Sequence, residues 1–303
     1  MSWSLNVGKV AGTVVRLHIT FVLFLAGIFV SNYLSSGVTV AWDSLLFIVL
    51  LFVCVLLHEF GHIFTARVFG VITPYVTLLP IGGVAQLERI PEEPWEEFLI
   101  AVAGPAVNVV IAAVLIVFGD ASPHANAAMG VDDMQIAIAD RLAALNIFLA
   151  LFNLIPAFPM DGGRVLRAAL ASRIGFVRAT ERAASIGQLT AFVFGFIGLF
   201  HNPILVFVAI FVYLAAASEA HSVALRAVSR GVPVSQAMIS NFITLRSGTH
   251  LDDAVRVLLQ ASQGTFPVVD ASENLVGVAD RADILQSVMR AGPGVPAAEV
   301  VTL

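Results

Sequence analysis

The stretch "FIVLLFVCVLLHEFGHIFTAR", residues 47–67, decides how this chain is read. An apolar run of membrane-crossing length meets a histidine, a glutamate and a second histidine before the segment is finished. Ionisable groups are costly in hydrocarbon, and those that stay there face protein partners or perform a function. His58 and His62 are four apart, so on a helix they share one face and can bind one metal ion. Glu59, beside the first, can serve as general base toward a water held there. The rival reading is a set of polar residues satisfied inside a helical bundle, but three such groups in five residues would each need a partner away from water. If the helix continues to Arg67, His58 lies about 13 Å below that charged boundary at 1.5 Å per residue.

The composition agrees with a membrane setting. The 303 residues are 58% hydrophobic and 12% charged, and the mean hydropathy of +0.92 is that of a polytopic membrane protein rather than a soluble domain. Nucleic-acid binding is excluded, because the net charge is −5 and Lys9 is the single lysine, leaving no basic patch to follow phosphates. Cys54 is the sole cysteine, so no internal disulfide forms. One turn before His58, it is expected to be a small buried residue rather than an extra ligand. The first apolar segment is too long for a signal peptide's core and reads as a permanent span.

Segments long enough to cross fall near 17–34, 43–66, 98–118, 137–158, 186–200 and 203–218, which predicts six spans. The last two form a tight helical hairpin turned at Asn202-Pro203. Arginines cluster after spans two, four and six, and the loops between the other spans carry none. The positive-inside rule therefore puts both termini in the cytoplasm of a multi-pass cell-membrane protein. Residues 71–98 carry Pro and Gly with strand-forming residues, and by themselves suggest a surface hairpin. From about 232 the pattern runs strand, helix, strand, turn, strand, helix. The expected division is a membrane domain over 1–225 and a soluble α/β unit over 232–303.

A catalytic zinc takes three protein ligands and keeps a place for water. The candidate for the third is Asp161 in "NLIPAFPMDGGR", at the end of span four and on the same side of the membrane as the end of span two. Pro156 and Pro159 break the helix before it, and Gly162-Gly163 permit close backbone approach. A helix-end interfacial charge is the alternative, and the matching depth favours the ligand.

These residues resemble the site-2 protease family of intramembrane zinc metalloproteases, peptidase family M50, over about residues 10–220. "HEFGH" is similar to its first metal motif and "NLIPAFPMDGG" to its second, while "GPAVN" at 104–108 is similar to its third-span element. The resemblance implies an α-helical polytopic fold with a small re-entrant β-segment. It also implies one Zn2+ on His58, His62 and Asp161, zinc-activated water with Glu59 as base, and Asn153 helping to stabilise the oxyanion. It groups Gly82, Gly83, Val84 and Gln86, in the stretch to Leu87, with Asn108 as substrate-binding residues. The strand edge would pair with an unwound substrate, because a helical segment hides its amides. An interhelical hydrogen bond is an equal reading of Asn108. The implied substrate is a single-pass transmembrane protein of the anti-sigma or membrane-bound regulator class, embedded like the enzyme in the lipid bilayer.

The chain departs from many relatives in that its loops at 31–42 and 119–136 are too short to contain a PDZ domain. Its C-terminal unit instead resembles a cystathionine-β-synthase (CBS) motif, with "GVADRADIL" as the ending. Asp283 stands where such motifs bind the ribose of an adenine nucleotide. Asp280, in place of the usual Thr, sets a carboxylate near any phosphate and argues against that ligand. These motifs work in pairs, and "VPAAEVVTL" is like the opening of a second. The module is therefore either truncated or completed by another chain, as a homodimer through the CBS units. A competing function is a CBS-regulated transporter or channel with an ion path through the His/Asp site. Glu59 distinguishes the two, since hydrolysis needs a base beside the His pair and transport does not.

Overall fold

A computed structural model describes residues 3–86, 88, 91, 93–122, 136–291, 294 and 296. Leu87, Arg89, most of the loop at 119–136, and residues 295–303 except Pro296 lie outside the described residues, and with them the expectations placed there. The chain divides into two compact units, residues 1–230 and 231–303.

The first unit opens with a hairpin absent from the sequence expectation. Strands β1 (Ser4–Val10) and β2 (Thr13–His18) pair antiparallel across Ala11-Gly12, both with positive φ. That turn geometry matches the strand twist of a two-residue hairpin. Helix α1 (Ile19–Ser36) follows at once, its first turn capped by His18, whose ring accepts from the Thr20 amide. Helix α2 (Val38–Val68) contains the opening stretch in one unbroken run and ends one residue after Arg67.

Strands β3 (Tyr75–Leu79) and β4 (Gly82–Gln86) then form a second hairpin. β3 pairs parallel with β2, giving a four-stranded sheet in the order β1-β2-β3-β4 with β4 on the edge. The surface-hairpin expectation is therefore corrected: Val76 and Leu78 of β3 are buried, and Val76 packs with Phe60 and Ile63 of α2. Alternation of these residues along a strand is what lets one sheet face bury against the helix.

Helix α3 (Pro94–Phe118) starts with proline at its first position, where the missing N–H costs nothing. Helix α4 (Ile138–Asn153) is shorter than the expected span 137–158, because the chain leaves the helix for the Pro156–Pro159 turn before helix α5 (Asp161–Ile174) begins. Helices α6 (Phe176–His201) and α7 (Pro203–Ser229) make the closing hairpin. Both are longer than expected from hydropathy, since each carries a polar extension beyond its apolar window. Among the described residues, α1, α2, α3, α6 and α7 are long and apolar enough to cross a membrane.

The second unit contains the short helix α8 (Val234–Ala237), strand β5 (Leu245–Arg246), helix α9 (Leu251–Gln260), strands β6 (Thr265–Val269) and β7 (Leu275–Asp280), and helix α10 (Arg281–Ala291). The sheet order is β5-β6-β7, and Leu251, Leu258, Phe266, Val268 and Ile284 form its own core.

Candidate metal centre

α2 places the rings of His58 and His62 on one buried face, as four-residue spacing requires. Asp161 reaches the same point from the first position of α5, 99 residues further along the chain. The break between α4 and α5 makes this approach feasible. A Cβ on Gly162 would lie 2.3 Å from the carbonyl oxygens of Leu154 and Ile155, and one on Gly163 2.8 Å from the Ala157 backbone, so glycine at both positions lets α5 start tucked against the preceding turn.

The Nε2 atoms of His58 and His62 are 3.1 Å apart, and Asp161 Oδ2 lies 3.2 Å from each. Whether these are hydrogen bonds depends on the other side of each ring. His58 Nδ1 is 2.8 Å from Asn108 Oδ1, and His62 Nδ1 is 2.7 Å from the Ile100 carbonyl. Both partners are acceptors, so each Nδ1 carries a proton and each Nε2 is the ring nitrogen left to ligate a metal. Three potential ligand atoms then face one point, an arrangement suited to a cation. A tetrahedral zinc with bonds of about 2.0–2.1 Å separates its ligand atoms by about 3.3 Å. The observed triangle fits that ion, and these three residues are the ones that would hold it.

The supporting groups come from α3. A Cβ at Gly104 would lie 2.2 Å from His62 Nε2 and 2.7 Å from His58 Nε2, so glycine lets this helix lie directly on the rings. Gly61 allows the same approach from the α2 side, where a Cβ would meet the Ala103 carbonyl at 2.8 Å. Asn108 is buried and turns its amide oxygen to His58. Neither Gly61 nor the Ile100 carbonyl was singled out from the sequence; a backbone acceptor leaves no residue-type signal at all.

Glu59 lies under β4. A Cβ on Gly83 would fall 2.6 Å from Glu59 Cγ and 3.1 Å from Oε1, so the strand edge and this carboxylate are in direct contact. Val84 and Gln86 of that strand are exposed, and Gly82, with φ +136°, closes the β3–β4 turn in a conformation that favours glycine. Asn153 ends α4, half-buried, in the segment leading to Asp161. Cys54 is buried in an apolar cluster with Phe47, Phe52 and Leu142. In the second unit Asp283 is exposed in the first turn of α10, and the Asp280 carboxylate accepts from Thr265 Oγ1 at 2.7 Å.

The family model for peptidase family M50 matches residues 46–131 and 121–197, and that for the CBS domain matches residues 234–290. The chain is 36% identical over 278 residues to a zinc metalloprotease of Methanocaldococcus jannaschii, covering 91% of this chain and 78% of that protein. It is 31% identical over 294 residues to Rip3 of Mycobacterium tuberculosis, covering 91% and 74%. A solved structure titled as the site-2 protease from Methanocaldococcus jannaschii superposes with a TM-score of 0.53 at 38% identity, covering 72% of this chain and 95% of that one. A mostly helical chain with several membrane-length apolar helices and this set of relatives belongs to peptidase family M50, as a zinc metalloprotease of the site-2 protease type that also carries a CBS motif.

Proposed function

We propose that this protein hydrolyses a peptide bond within or next to a transmembrane segment of a single-pass membrane protein, with His58, His62 and Asp161 as zinc ligands and Glu59 as general base. The observation that carries the reading is the triangle of three potential ligand atoms within 3.2 Å, reached from α2 and α5 with both outer nitrogens already committed as donors. Zinc, when bound, polarises the scissile carbonyl and makes water acidic enough to attack near neutral pH. Glu59 takes the proton of the attacking water and delivers it to the leaving amide nitrogen. Asn153 donates to the developing oxyanion. An extended substrate adds to the open edge of β4, so that Gly82, Gly83, Val84 and Gln86 lie along it and Gly83 brings it against Glu59.

The remaining parts follow from this assignment. α4, with 16 residues, is the fourth of six crossings, and the arginine distribution argues for both termini and the CBS unit in the cytoplasm. The functional division is 1–225 and 232–303, and the substrate is of the anti-sigma or membrane-bound regulator class. The CBS units pair between two chains. Asp283 is the position that would take an adenine nucleotide's ribose, with Asp280 opposing its phosphate.

The test is reconstitution of the purified chain with a model transmembrane substrate, comparing wild type with Glu59→Gln. The variant is expected to retain about one zinc per chain and to lose cleavage. Unchanged cleavage defeats the proposed mechanism, and loss of metal shows that Glu59 is structural.

A further inference from the structure

Arg167 and Glu97 are among the largest fully buried side chains of the protein, and neither belongs to the metal centre. Arg167 Nε donates to Glu97 Oε1 at 2.8 Å, Nη2 donates to the same oxygen, and Nη1 donates to Glu219 Oε1 at 2.5 Å. The guanidinium also lies over the rings of Phe158 and Phe176. Three helices, α3, α5 and α7, are thus held by one planar cation. Lysine has the charge but not the fixed fork needed to reach both carboxylates.

The positions of the two partners along their helices matter. On α3 the residues Glu97, Ile100, Gly104 and Asn108 recur at three- and four-residue spacing, so they form one buried stripe. Ile100 and Asn108 hold the outer nitrogens of the two imidazoles and Gly104 touches the rings. Glu97 continues that stripe by one turn. On α5, Arg167 lies six residues after Asp161, about 9 Å along the same rigid helix. The ion pair therefore links the helix that orients the imidazoles to the helix that supplies the carboxylate.

We propose that Arg167 is a positioning residue of the metal centre: locked between Glu97 and Glu219, it sets the register of α3 against α5 and so the distance between the imidazole pair and Asp161. The inference rests on the reading of His58, His62 and Asp161 as metal ligands. A constellation of this kind works only when its support holds it within about 0.5 Å.

The experiment uses the full chain in detergent or lipid discs. Zinc affinity is measured by competition with a chelator, and the visible spectrum of the cobalt-loaded protein reports ligand geometry. Arg167→Met, Arg167→Lys and Glu97→Gln are compared with Arg141→Met, which disrupts another buried ion pair, that with Asp43. Asp43 is 15 residues before His58, about 22 Å along α2. The Arg167 and Glu97 variants are expected to weaken zinc binding by about 10- to 100-fold and to shift the cobalt bands. Arg141→Met should lower thermal stability and leave both readouts as in wild type.

Wild-type zinc affinity and an unshifted cobalt spectrum in the Arg167 and Glu97 variants would overturn the proposal. An equal change in Arg141→Met would also overturn it, by showing general loosening. If Arg167→Met does not fold, Arg167→Lys, which keeps the charge, and Glu97→Gln, which keeps the shape, decide the matter. Failure of the wild type to bind zinc, or undiminished binding in Asp161→Ala, would instead defeat the metal centre itself.

Discussion

Gly104→Ala tests how the centre is built without touching a ligand. The added methyl would sit 2.2 Å from His62 Nε2, 2.5 Å from His62 Cε1 and 2.7 Å from His58 Nε2, against a normal separation of about 3.5 Å. Roughly 1 Å must be found somewhere. The rings cannot swing aside freely, because His62 Nδ1 is bonded to the Ile100 carbonyl and His58 Nδ1 to Asn108. Turning them leaves buried donors unpaired, at about 1–3 kcal/mol each. If α3 retreats instead, those same bonds lengthen by a similar distance and pass the range in which they hold. Overpacking of this kind costs about 1–3 kcal/mol. With about 2–3 kcal/mol falling on the loaded geometry, zinc binding should weaken by about 30- to 150-fold. The assay is chelator competition on purified protein, with Gly27→Ala as control, since a methyl there has open space around it and should change nothing. Zinc affinity within about threefold of wild type in Gly104→Ala would refute the idea that α3 clamps the imidazoles.

Asn108→Leu keeps the volume near His58 but removes the acceptor that fixes its tautomer, and zinc affinity should fall by about 10- to 100-fold in the same competition assay. Gly83→Ala pushes against Glu59 and not against the ligands, so cleavage of a reconstituted substrate should drop while zinc content stays at wild-type level. In the C-terminal unit the exposed Asp270 carboxylate accepts from the amides of Asn274 and Ser272, which hold its pKa below the ordinary carboxylate value. A depressed pKa in the folded state means that the turn's stabilisation is present above the unfolded value and is lost as pH falls through the folded one. Carboxyl NMR titration should show this depression, and Asp270→Ala should abolish the pH dependence of that turn's melting.

What the residue order determines here is local. Four-residue spacing puts His58 and His62 on one face whatever the helix packs against, and Pro156, Pro159 and the Gly162-Gly163 pair dictate a break with close backbone approach just before and after Asp161. An uninterrupted apolar run makes α2 a helix of membrane length, because hydrocarbon forces the backbone to satisfy itself internally. Span limits were less legible: α6 and α7 extend past their apolar windows, since a helix ends where its backbone geometry changes and not where hydropathy falls.

Tertiary structure decided everything that depends on which elements meet. The parallel pairing of β2 with β3 joins an N-terminal hairpin to a strand about 60 residues later, and nothing in either segment names the other. The Ile100 carbonyl, the Gly104 contact and the burial of Glu97 against Arg167 arise from α3 lying between α2 and α5. Periodicity constrains a single helix face, whereas the choice of neighbour is made by the packing of the whole bundle. The partners that tune this centre therefore became visible only when the helices were assembled.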